Sequence, residues 1–118
     1  MPEVRYHLTG QDLHTIANGI GLRPATSPGI LATIADAARD EDLESAAGIV
    51  FKLVLATRPF GDDSVIFALE ASRVFLYANG LRLGKADVAR AEALVAAVEK
   101  GQLDDPAEIG KRLIALDR

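Results

Sequence analysis

The sequence contains no cysteine and no tryptophan, a single methionine and two histidines, His7 and His14. Without cysteine there is no disulfide, no thiolate metal site and no sulfur nucleophile, and two histidines are too few for a self-contained zinc site. Aromatic residues make up 5% of the chain while alanine and leucine dominate, which favours helix over strand. The opening MPEVRYHLTG lacks the apolar core of a secretory leader, and no run approaches the ~20 apolar residues needed to span a bilayer. A protein neither exported by this route nor embedded in a membrane is expected. Clustered basic residues are missing as well. The formal charge is −4, the pI is near 5.1 and the 13 lysines and arginines are scattered. Phosphate backbones are held by clustered cations, so no nucleic-acid partner is expected, and the acidic balance points to the cytoplasm.

What is present is enough for one core. At 118 residues, 49% hydrophobic and 25% charged, the chain suits a single domain spanning 1–118. Thr9 and Asp12 form a capping box ahead of Leu13, Ile16, Ala17 and Ile20, and Gly21 stops that helix. Ser27 and Pro28 offer an N-cap and a first-turn proline for a second helix built on Ile30, Leu31, Ile34, Ala35 and Ala38. From about Asp42 to Thr57, Leu43, Ala46, Ala47, Val50, Phe51, Val54 and Leu55 recur at spacings of 3 and 4. The segment Ser64 to Ala78 is apolar nearly all round, with Glu70, Ser72 and Arg73 as its polar residues. A helix without a solvated face is expected at the centre of the fold, and Asn79-Gly80 closes it. A fifth helix over Ala86 to Lys100 and a sixth from Asp105-Pro106 complete an all-α domain of about six helices around a central buried one.

The segment RPFGDDSVIFA, Arg58 to Ala68, stands just before that helix. Together with Phe75-Leu76-Tyr77-Ala78-Asn79-Gly80 it resembles the Fic/Doc superfamily, and within it the death-on-curing (Doc) toxins. The family reads His-x-Phe-x-Asp/Glu-Gly/Ala-Asn-Lys-Arg-Thr-Ala-Leu in the same frame, followed by a helix ending in Phe-Leu-x-x-Asn-Gly. Leu8-Thr9, Leu13-His14-Thr15-Ile16, Ser27 to Leu31 and Lys100-Gly101-Gln102-Leu103 extend the similarity over nearly the whole chain. The resemblance implies the all-helical Fic/Doc fold and, in the family, transfer of AMP or phosphate from a nucleotide triphosphate. There the histidine is the general base, the acidic residue holds Mg²⁺, and the Asn, Lys and Arg bind phosphates.

The departures fall on that chemistry. Phe60 and Asp62 remain, while Arg58 replaces the histidine and Ser64, Val65 and Ile66 replace the phosphate-binding residues. A guanidinium, which stays protonated at neutral pH, cannot serve as base there. Losing two cationic phosphate contacts of about 1.5–3 kcal/mol each weakens nucleotide binding by about two to four orders of magnitude. Family transfer activity is therefore not expected. No cofactor is expected either, Asp62 being the one remaining candidate Mg²⁺ ligand. None of the seven glutamates is followed by Gly or Asn, so the family's inhibitory motif is absent.

Each loop residue carries two readings. Asp62 and Asp63 cap the helix for about 1 kcal/mol, or act as catalytic carboxylates on another substrate. Arg58 ties the loop to these carboxylates, or anchors the carboxylate or phosphate of a ligand. Phe60, Ser64, Val65 and Ile66 are core and cap residues, or the walls of a cleft that now takes an apolar molecule. His14 with Asn18 forms a small polar cluster, and Glu70 with Arg73 a shielded i,i+3 pair. Two functions follow. One is a degenerate Fic/Doc-like pseudoenzyme in a toxin–antitoxin pair or larger assembly, binding an antitoxin-like helix or a subunit. The other is an enzyme or ligand-binding protein, of biosynthetic type, whose former nucleotide cleft holds an apolar small molecule.

Overall fold

The computed structural model describes Val4, residues 6–23 and residues 29–118. Among the described residues there are six α-helices and no strand: α1 Gly10–Gly19, α2 Ile30–Ala37, α3 Leu43–Thr57, α4 Ser64–Ala78, α5 Val88–Glu99 and α6 Pro106–Ile114. Short 3-10 turns at Gly61–Asp63 and Ala115–Asp117 precede α4 and follow α6. The all-α, single-domain, six-helix expectation matches this architecture.

Local chemistry sets most boundaries. The Thr9 hydroxyl accepts from the Asp12 N–H at 3.1 Å while the Asp12 carboxylate accepts from the Thr9 N–H at 3.0 Å, closing the capping box of α1. Asp42 and Asp87 accept from the N–H groups of Ser45 and Arg90 and so start α3 and α5. The expected Ser27-Pro28 start of the second helix lies outside the described residues; the N-cap of α2 is Gly29, in a left-handed backbone.

The helix at the centre is α3, not α4. It packs on α2, α4, α5 and α6 and buries Leu43, Ala46, Ala47, Gly48, Val50, Phe51, Val54 and Leu55. Its closest partner is α6. A Cβ on Gly48 would lie 1.9 Å from the Pro106 carbonyl oxygen, and one on Gly110 would lie 2.0 Å from that of Glu44, so the two backbones touch where no side chain fits between them. By contrast α4 is two-sided. Phe67, Ala68, Ala71, Ser72, Phe75 and Leu76 face the core, whereas Ile66, Glu70 and Tyr77 form an exposed stripe. The composition of α4 misled because apolar residues on all sides need not all be covered.

Two long-range clamps fix the C-terminal half of α4. At its C-terminus the Asn79 carboxamide accepts from the Tyr6 N–H at 2.9 Å and donates to the Tyr6 carbonyl at 3.0 Å and the Phe75 carbonyl at 2.9 Å. The Tyr6 phenol bonds in turn to Asp12, and that bond, burial and the carboxylate's charge hold the phenol above its ordinary pKa. Burial acts to raise Asp12, but the bonds it accepts from Tyr6 and Thr9 outweigh this and hold it below the usual carboxylate range. Further along, the Arg73 guanidinium donates to the Gly84 carbonyl at 2.9 Å, and the Gly84 N–H donates to the Asp117 carboxylate. The expected Glu70–Arg73 pair therefore does not form: Arg73 reaches the 81–84 connector and Glu70 is exposed.

Candidate functional site

The loop from Arg58 to Asp63 joins the end of α3 to the start of α4. Arg58 donates its N–H to the Val54 carbonyl and then turns into a left-handed conformation, φ 47° and ψ 60°, rare for a residue with a side chain. The turn swings its guanidinium toward α5, where Nη2 meets Glu99 Oε2 at 2.6 Å; Asp62 lies at 3.9 Å from Nη1. Arg58 thus ties the loop, as one reading held, but its main partner is Glu99. Nothing local in the sequence signals a partner 41 residues away.

Pro59 is buried and Phe60 half-buried, its ring packed edge-on against Phe67 with centroids 4.7 Å apart. The Phe60 N–H donates to Ser64 Oγ at 3.0 Å, and Ser64 is fully buried. Phe60 and Ser64 are therefore brought together as the internal brace of the loop. The 3-10 turn of Gly61–Asp63 runs directly into α4. Asp63 has helical backbone angles and neither carboxylate accepts a capping hydrogen bond. The expectation that Asp62 or Asp63 caps by such a bond is corrected: both carboxylates are exposed within the first turn and act on the helix through its dipole alone.

Val65 and Ile66 diverge. Val65 is half-buried against the core, whereas Ile66 is 59% exposed. One helical stripe carries Ile66, Glu70, Arg73 and Tyr77, and Tyr77 is 70% exposed. Ile66 and Tyr77, both large, stand about 16 Å apart along the helix with exposed Glu70 and half-buried Arg73 between them. His14 and Asn18 are both exposed on α1. Among the described residues no three His, Asp or Glu side chains converge to hold a metal ion, and no helix is long and apolar enough to cross a membrane.

Chemically, the loop holds one cation committed to Glu99, two solvated carboxylates and a braced serine. The exposed stripe on α4 is the feature that the sequence reading missed. No model of a known protein family matches the sequence, and no curated protein matches it.

Proposed function

We propose that the chain is a binding module of Fic/Doc-like design that has given up group transfer and acts through a protein partner, an antitoxin-like or assembly helix laid along α4. The observation that carries this reading is the pairing of Ile66 and Tyr77, exposed on one side of α4 at a spacing that a partner helix matches with two apolar anchors. Glu70 between them supplies a polar point that selects a partner with a facing lysine or arginine. Loss of the family's chemistry supports it: Arg58 occupies the position of the general base, has no lone pair to accept a proton at neutral pH, and is ion-paired to Glu99.

The test is co-expression with the product of a short neighbouring reading frame, followed by co-purification. A complex that survives with the native chain and is lost in Ile66→Glu and Tyr77→Glu, with helical circular dichroism unchanged, is the expected result. Calorimetry with ATP and labelling with nucleotide triphosphates are expected to give neither micromolar binding nor transfer. Label transfer that disappears in Asp62→Asn would overturn the reading.

A further inference from the structure

A concave surface lies between α5 and the C-terminal end of α6. It is a cleft of about 330 Å³ lined by Arg90, Ala93, Leu94, Arg112, Ala115 and Leu116. Its floor is apolar, with Leu94 and Leu116 each 3% exposed. The two charged residues on its lining carry the same sign, in a chain whose net charge is −4. Arg112 is loosely paired, 3.7 Å from Glu108, and Arg90 has no ion-pair partner among the described residues. Two arginines on the lining of one small cleft, with a single loosely held carboxylate as counter-charge, favour an anionic ligand there. The volume is at the lower end of the range for small-molecule sites. An inorganic anion would use the arginines and leave the apolar floor uncovered; a neutral hydrocarbon would do the reverse.

We propose that this cleft is a binding site for a small aliphatic carboxylate, with the carboxylate held between Arg90 and Arg112 and the alkyl chain on Ala93, Leu94, Ala115 and Leu116. Guanidinium groups match a carboxylate in planar, two-point fashion, and the alkyl chain removes apolar surface from water. The site uses none of the residues of the α4 stripe and stands or falls separately from it.

The probe is octanoate, titrated by calorimetry and by amide NMR shifts, with octanol and acetate as comparators. Saturable octanoate binding with shifts at Ala93, Leu94 and Ala115 is expected, octanol and acetate each being weaker by about tenfold or more. Arg90→Gln with Arg112→Gln should weaken octanoate by a similar factor, and Ala93→Phe, which fills the cleft from its exposed rim, should abolish it. Ile66→Glu should leave it unchanged. Absence of saturation at about 10 mM octanoate, octanol binding as tightly, or undiminished octanoate binding in either cleft variant would each overturn the proposal.

Discussion

Arg58 holds a left-handed backbone conformation at a steric cost of about 1–2 kcal/mol, and its half-exposed pair with Glu99 returns only about 0.2–1 kcal/mol. Arg58→Gly relieves the strain and loses the pair, whereas Arg58→Ala keeps most of the strain and loses the pair. Urea denaturation should therefore find the glycine variant more stable than the alanine variant by about 1 kcal/mol. The reverse order would contradict the left-handed turn. A different residue contributes to acid sensitivity. The Gly84 N–H, opposed by burial and helped by Arg118 and Arg73, holds the Asp117 carboxyl below its ordinary value. A carboxyl depressed in the folded state contributes stability that is present above its unfolded pKa of about 3.9 and lost as pH falls through the folded value. The stability gap between native chain and Asp117→Asn should be widest above about pH 4 and should close below it. A gap independent of pH would argue against the Gly84–Asp117 bond.

At the scale of elements, the contact of α3 with α6 depends on Gly48 and Gly110. Both absent Cβ positions are occupied by carbonyl oxygens of the facing helix. Backbone cannot move aside as a side-chain tip does, so Gly48→Ala or Gly110→Ala should cost about 3 kcal/mol and lower Tm by about 10 °C or more. Gly19→Ala, with open space at its Cβ, should be neutral or stabilising by about 0.5–1 kcal/mol and serves as the control. Equal melting temperatures for the three variants would refute the close crossing. The helices themselves were legible: capping residues and apolar spacing mark α1 and α3 almost to the residue, and the continuous apolar run closed by Asn79-Gly80 marks α4. Which helix is central was not, because composition registers apolar surface without registering what covers it. Gly48 in the middle of a strong helical period was the overlooked signal, since a glycine there is unfavourable unless another backbone needs the space. In the loop, the anchoring of Phe60 was legible, being a local matter of an aromatic before an apolar helix. Asp62 and Asp63 read as hydrogen-bonded caps because the sequence does not reveal that a 3-10 turn carries the helix back to Gly61. The exposed Ile66 likewise depends on how α4 is rotated against α3, which only tertiary packing decides.

For the whole molecule, the order of elements along the chain differs from the order of their intimacy in space. The α3–α4 pair is joined by the six residues 58–63, whereas the α3–α6 crossing joins glycines roughly sixty residues apart. Closing the longer loop costs about 2 kcal/mol more in chain entropy. The α3–α4 hairpin is therefore expected in the folding transition state and the docking of α6 after it. Stopped-flow kinetics should show Phe67→Leu on α4 slowing folding, and Ile109→Val on α6 mainly speeding unfolding, with the lower φ value at Ile109. Similar φ values at both positions would refute this sequence of events. Until α6 docks, the groove left open by Gly48 on α3 remains an adhesive strip of bare backbone and apolar side chains. A chain caught at that moment can accept the α6 of a neighbouring copy in place of its own, so an exchanged dimer is the misassembly to which this fold is most exposed.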